Sequence, residues 1–570
     1  MNQRAAMIGL CVCLSWGAVF LPTAAAKHGD GESSAMEAQE KKTKPVKHPL
    51  SHPWDKPGRS SGSLHPGTPA AAGMTPAPLG EIDSFIESAI HDGVMPGAVV
   101  LIARRGVIVK EQAYGHAARY ADDGRTLLDQ PVAMRTDTLF DLASISKLFT
   151  STAVMQLHEQ GLFQLDDPVA RYIPAFAENG KDTVTIRQLL THTSGFEPFI
   201  PLYTMGNSRE ERLEIVFRHP LVNKPGSAYV YSDLNLITLG ALVEKLSGQR
   251  LDEYVRDHIT KPLRMTDTMY NPPESLKKRT AATEYQPWTN RELVWGQVHD
   301  ENAWALDGVA GHAGVFSTAR DLAVFAQMML NGGTYGGKRI LSKKSVELMT
   351  ENQIPEFPGD DHGLGWELNQ GWYMDALGDS RTMGHTGYTG TSMVVSPNNE
   401  TICIVLTNRV HPTRNTVSTN PVRRGVARLA ALAIPVDLPG KEGAWFAGAG
   451  DDLENTLTAE TDLPEGGTLT FDTWYRIENE SDYGHVEASA DGEHWTEVGS
   501  ALTGEGDWQT VTWQLPAGTE QVRFRYATDP SVNGRGWYVQ HPSIADPSGK
   551  PVKAVWNPQG WSYEGKNRGR

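Results

Sequence analysis

Residues 141–152 read "DLASISKLFTST" and set a serine, Ser144, three positions before a lysine, Lys147, in a run spaced like a buried helix. Ile145, Leu148, Phe149, Thr152 and Ala153 recur at i, i+3, i+4, i+7 and i+8, and Val154, Met155 and Leu157 add apolar surface elsewhere. A helix apolar nearly all round belongs in a core, and this one closes at Gly161. Lysine is among the residues least often buried without a partner. Ser144 falls in the first helical turn, where backbone N–H groups are free, and Lys147 lies one turn on along the same face. A buried ammonium gives up its proton more readily than an exposed one and can serve as base to a neighbouring hydroxyl. The plain alternative is an N-capping serine followed by a surface lysine. The pattern is short: Ser275 in "SLKK" matches it too, with no apolar helix behind it.

Working outward, "LGEIDSFIESAIHDG" (79–93) has helical apolar spacing and closes on glycine. "GAVVLIARRGVIVKEQAYG" (97–115) reads as two strands joined by a tight turn at Arg105-Gly106. "TSMVVSPNNETICIVLTNR" (391–409) is a second hairpin, turning on Pro397-Asn398-Asn399. Strands from both ends of a segment with helices between them predict one antiparallel sheet flanked by helices, with a separate all-helical region, an α+β fold.

The chain has 570 residues, too many for one hydrophobic core. Residues 1–26 read as a signal peptide: Arg4, an apolar stretch, then small residues before Lys27. This implies a secreted protein, with the periplasm as the alternative. Residues 27–78, rich in Lys, His, Pro, Ser and Gly, read as a disordered linker ahead of a folded domain over 79–438. Of three cysteines only Cys403 lies outside the signal, so no disulfide is expected, and "TICIVLT" marks Cys403 as a core thiol. A formal charge of −16 opposes nucleic-acid binding. Residues 441–570 change character, with short β-type runs such as "GTLTFDTWYRI" and "QVRFRYAT" separated by turn signals. They predict an all-β sandwich accessory domain. It carries 21 acidic against 10 basic residues and eight of the 15 tryptophans. Those rings are candidates for core packing or for a platform touching carbohydrate or cell wall.

Two further motifs follow Ser144 in order. "YVYSDLNLITLGALVEKLSG" places Tyr231, Ser232 and Asp233 before another apolar helix, and "MGHTGYTGTSMVV" places His385, Thr386 and Gly387 at a strand start. The order Ser-x-x-Lys, Tyr-Ser-Asp, His-Thr-Gly resembles the active site of the serine β-lactamase and penicillin-binding protein superfamily, in its class C-like branch. The resemblance spans roughly 75–435, supported by "VTIRQLLTHTSGF" and "HDENAWALDGVAGHAGVFSTARDLAVFAQMMLNGG". The gap of 87 residues from Ser144 to Tyr231 fits that branch better than class A. Residues from about 445 to 545 resemble the β-sandwich of immune-inhibitor-A-type secreted peptidases; no His-Glu-x-x-His motif accompanies them.

The resemblance implies a serine hydrolase. Ser144 would attack a carbonyl after passing its proton to Lys147 and Tyr231, and the N–H groups of Ser144 and Tyr388 would hold the oxyanion. Asp233, His385, Thr386 and Gly387 would contact substrate, and no metal or organic cofactor is implied. Two departures matter. Many members carry lysine where His385 stands, and Asp233 replaces an amide, leaving an acceptor only. Both disfavour β-lactam turnover and fit a D-Ala-D-Ala carboxypeptidase or esterase acting on a small peptide, ester or lactam. The alternatives are a penicillin-binding sensor that acylates without turnover and a wall-associated protein with an idle fold. His299, Asp300 and Glu301 invite a metal reading that adjacent side chains rarely satisfy. His192 reads as a packed histidine, His312 as lining the cleft, and Asp451-Asp452 as surface acids or part of a Ca²⁺ site.

Overall fold

All eight residues of the strand Gly97–Arg104 are buried, which requires cover on both faces of its sheet. The computed structural model, which describes residues 54–55 and 58–565, supplies that cover. An eight-stranded sheet contains β1 (His65–Pro66), β2 (Gly97–Arg104), β3 (Val107–Tyr120), β4 (Leu127–Ala133), β5 (Glu367–Leu368), β6 (Met383–Gly387), β7 (Thr391–Ser396) and β8 (Thr401–Thr407). Its order is β1-β3-β2-β8-β7-β6-β5, with β4 on β3. The predicted hairpins are therefore both present, and β2 pairs with β8, joining the two ends of the region expected over 79–438 at the sheet centre. Only β1 runs parallel to its neighbour.

Period-two alternation sends Val99, Leu101, Ile402 and Ile404 to one face, which packs on the helical region containing α2 (Ser146–Glu159) and α3 (Asp233–Ser247). Val100, Ile102, Cys403 and Val405 face the other way, onto α1 (Pro76–His91) and α5 (Asn420–Leu432). Cys403 is a core thiol as expected, and burial pushes it up to about 12.

The disordered-linker expectation for 27–78 fails over its described part. Asp55 lies 2.7 Å from buried Arg104 and 3.1 Å from Arg105, and Trp54 is buried in the α1/α5 core. His65 and Pro66 add a strand beside Val107 and Ile108, and α1 begins at Pro76. Trp54, Asp55 and Met74 are sparse anchors in a polar stretch, too few to leave a periodic signal. The signal-peptide reading of residues 1–26 lies outside the described residues.

Beyond α5, residues 444–564 form two antiparallel sheets enclosing their own core of Leu457, Phe471, Phe524 and Trp537, the predicted sandwich. All eight of its tryptophans are buried or half-buried. The sandwich also completes the other region. Phe446, Trp474 and Tyr538 share one apolar cluster with Trp54, Ile434, Val436 and Leu438. Arg535, itself buried, donates to the Ile434 carbonyl at 3.2 Å, and Trp508 donates to the Asp437 carbonyl at 2.8 Å. Arg428 of α5 pairs with Asp451 at 2.6 Å.

Candidate active site

The nucleophile candidate is presented by a strained turn. A short strand, Phe140–Asp141, pairs with Val315–Ser317, and the chain then enters a 3-10 turn at Ala143–Ile145 before α2. Ala143 has φ 47°, a left-handed conformation unfavourable for a residue with a Cβ. It is held because the buried Asp141 carboxylate accepts from the Ala143 N–H at 2.8 Å and the His299 N–H at 2.6 Å. Ser144 thus stands one turn ahead of the α-helix proper.

The end of β6 rests against this turn. A Cβ on Gly387 would lie 2.3 Å from the Leu142 carbonyl oxygen, so the His-Thr-Gly segment approaches only as glycine. Thr389 and Thr391 hydroxyls fasten the same edge, donating to the Asp141 and Leu142 carbonyls at 2.7 and 3.1 Å. Tyr388 follows directly in sequence, and its ring stacks on His299 at 5.8 Å between centroids.

The buried lysine has its partners. Lys147 Nζ donates to Ser144 Oγ at 2.7 Å and to the His312 carbonyl at 3.2 Å, and lies 2.8 Å from Asp233 Oδ1. Asp233 was expected to contact substrate. Its carboxylate instead turns inward from the first turn of α3 onto Lys147, because a buried ammonium requires a counter-charge. Nothing in the motif's spacing announces this contact, which joins two helices.

Tyr231 places its ring under the same ammonium, 4.8 Å from Lys147 Nζ to the centroid. His192 packs on that ring at 4.5 Å, and its Nδ1 accepts from the Ser232 N–H and the Asn235 amide, both at 3.0 Å. Burial drives His192 well below its ordinary range, so it is the neutral packed histidine expected. It fixes Tyr231 in place.

His385 is 1 % exposed. Its Nδ1–H donates to the Thr386 carbonyl at 2.7 Å, and burial together with the Lys147 charge lowers it to about 3. The imidazole is neutral at physiological pH, so it offers substrate no cation. Thr386 is half-buried beside it.

The "HDE" residues do not converge on one ion. His299 Nε2 meets Glu284 at 2.8 Å, and Arg414 bridges Glu284 and Glu301 at 2.5 and 2.6 Å. Burial would raise the Glu284 carboxyl, but His299 and Arg414 hold it down at about 2. Arg414 and Arg409 both lie over the Tyr388 ring, at 5.7 and 5.0 Å. Asp300 instead pairs with His312, 2.7 Å away. Sequence reading placed His312 at the cleft but missed Asp300 as its partner; "HDENA" with "GHAG" eight residues on was the available signal. Ser275 is exposed in a short 3-10 turn and has no buried lysine beside it. Asp451 is engaged by Arg428 and Asn533; among the described residues the acids that gather in the sandwich are Glu478, Asp482 and Asp529, within 4.8 Å.

A family model described as Beta-lactamase matches residues 82–428. A protein of Escherichia coli (strain K12) named "Putative D-alanyl-D-alanine carboxypeptidase" is 37% identical over 378 residues, 60% of this chain and 85% of that protein. A protein of the same name from Salmonella schwarzengrund (strain CVM19633) is 36% identical over 390 residues, 62% of this chain and 88% of its own length. Among solved structures, a penicillin-binding protein homolog from Caulobacter crescentus aligns over 64% of this chain and 99% of its own, with 21% identity and a TM-score of 0.49. A family VIII carboxylesterase aligns over 63% and 98%, with 22% identity and a TM-score of 0.47.

Proposed function

The chain belongs to the beta-lactamase family of serine hydrolases, and from that premise we propose that it is an exported enzyme with D-Ala-D-Ala carboxypeptidase-like or esterase activity, acting through an acyl-enzyme on Ser144. The observation that carries the reading is the 2.7 Å contact between Lys147 Nζ and Ser144 Oγ at the head of a buried helix. In the proposed reaction Ser144 Oγ attacks the substrate carbonyl as its proton passes to the Tyr231 phenolate of the Lys147–Tyr231 pair, with the Lys147 ammonium as counter-charge. The backbone N–H groups of Ser144 and Tyr388 take the oxyanion, a contribution worth about 2.7–4 kcal/mol for one donor. The leaving group departs with the proton, and water then hydrolyses the ester with Tyr231 as base. The names of the relatives support the peptidase class, and the neutral His385 supports weak carboxylate selection and hence weak β-lactam turnover. The sandwich region is proposed to contact wall polymer or a bulky substrate.

The test presents a nitrocefin-type lactam, a p-nitrophenyl acyl ester and a D-Ala-D-Ala peptide to the wild-type protein and to Ser144→Ala. Turnover of ester or peptide that vanishes in the variant supports the proposal. A stoichiometric burst without turnover points to a penicillin-binding sensor, and turnover preserved in the variant overturns the reading.

His385→Lys probes the substrate side. It adds a permanent cation where the imidazole is neutral, so kcat/KM on carboxylate-bearing substrates is expected to rise roughly tenfold relative to a neutral ester, the worth of one charge-assisted hydrogen bond. The new ammonium stands in the field of Lys147, so Tm should fall. An equal change on both substrate classes would show that residue 385 does not meet the substrate carboxylate.

A further inference from the structure

Beneath the Ser144–Lys147 contact lies a chain of alternating charges drawn from four separate segments. Lys147 comes from α2, Asp233 from α3, His312 from the loop before Val315–Ser317, and Asp300 from the N-cap of the short helix Glu301–Ala305. Ligand-type atoms of Asp233, Asp300 and His312 all lie within 4.8 Å of one another. Two carboxylates that close repel unless cations stand between them. Lys147 Nζ covers Asp233 at 2.8 Å, and His312 Nε2 covers Asp300 at 2.7 Å.

The His312 loop is held tightly enough to transmit this. A Cβ on Gly311 would fall 1.8 Å from the Leu236 carbonyl oxygen, so the loop lies directly on α3. On its other side the Thr150 hydroxyl of α2 donates to the Gly311 carbonyl at 2.7 Å. The His312 carbonyl, fixed by those contacts, is itself an acceptor for Lys147 Nζ. His312 is fully buried, and its side chain reaches Asp300 rather than the cleft.

We propose that His312, held by Asp300, is a positioning residue for Lys147: its imidazolium lets the Asp233 and Asp300 carboxylates sit side by side, and Asp233 then keeps the Lys147 ammonium against Ser144. This inference rests on the Ser144–Lys147 reading above. The groups facing His312 are Asp300, Asp233 and Lys147; Asp300 in turn faces His299 and Asp141. Burial alone would strip the His312 proton, and Asp300 more than offsets it, so the imidazole is held above its ordinary range. As pH rises through that raised value the cluster loses one positive charge, the two carboxylates repel, and Asp233, pushed aside, draws its Lys147 partner away from Ser144. Acylation should therefore decline on the alkaline side with the titration of His312.

Asp300→Asn removes the charge while keeping a good N-cap for Glu301–Ala305, whose Ala303 N–H the Asp300 carboxylate accepts at 2.7 Å. In the full-length protein, the pH profile of kcat/KM for a p-nitrophenyl ester is compared between wild type, Asp300→Asn and His312→Gln. Asp300→Asn leaves Asp233 no second carboxylate to repel it, so the alkaline limb should be lost and kcat at pH values above that limb should exceed the wild-type value, with KM nearly unchanged. His312→Gln should abolish that limb and show the low rate throughout. Both should still be labelled by a fluorophosphonate probe, His312→Gln more slowly. Folded variants with the wild-type limb and kcat overturn the positioning role; labelling or turnover that survives Ser144→Ala overturns the nucleophile reading instead.

Discussion

Ser144→Ala is expected to abolish labelling by fluorophosphonate and penicillin probes and to reduce ester turnover by roughly 10⁴-fold or more, since the nucleophile has no substitute in the site. The protein should remain folded. Lys147 loses one hydrogen bond but keeps Asp233 and the His312 carbonyl, so the expected stability change is about 1 kcal/mol. The helix behind it retains Ile145, Leu148 and Phe149 in the core. Intact-protein mass spectrometry of the adduct and a thermal melt read both halves of this expectation. Equal labelling of the variant would displace Ser144 as nucleophile.

Ending the chain near Pro439 is expected to destroy activity by unfolding, the reverse of what the sequence alone implies. All three motifs lie between 144 and 388, and the tail has aromatic residues enough for a separate core, so independence is the natural reading. The structure places Phe446, Trp474 and Tyr538 in the cluster that covers Trp54, Val436 and Leu438. Each large apolar side chain uncovered costs about 1.5–3 kcal/mol. Three or four of them approach the whole ~5–15 kcal/mol that stabilises a domain. Size-exclusion chromatography, circular dichroism and small-ester turnover of the truncated chain would show aggregation or a non-cooperative melt. A monomeric truncated chain with cooperative unfolding and wild-type turnover would sink the idea. Arg535→Ala in the full-length protein is the milder version. It strips the Ile434 carbonyl of a buried donor and removes a guanidinium packed near Trp54, Phe446 and Tyr538.

Local pattern was enough for much of this protein. The spacing of Ile145, Leu148, Phe149 and Ala153 settles that α2 is buried, and one helical turn is enough to set Lys147 beside Ser144. Runs such as "GAVVLIAR" and "TICIVLT" mark strands covered on both faces, and the order of three short motifs identifies the family to which the site belongs. These are properties of neighbours in sequence, and backbone periodicity exposes them.

Only the tertiary structure decided what stands opposite. Asp233 could have faced substrate, and it faces Lys147; Asp300 could have capped a helix and done nothing more, and it also holds His312. His385 is neutral because it is buried in the field of Lys147, and no local pattern encodes that field. Residues 58–78 read as a tether and pack as a strap, and the sandwich reads as separate yet closes the core of its neighbour. The reason is common to all of them. Periodicity states which face of an element is covered, whereas the partner of a buried charge, and the surface that covers a face, come from segments distant in sequence, chosen by the cost of leaving charge or apolar area unmatched.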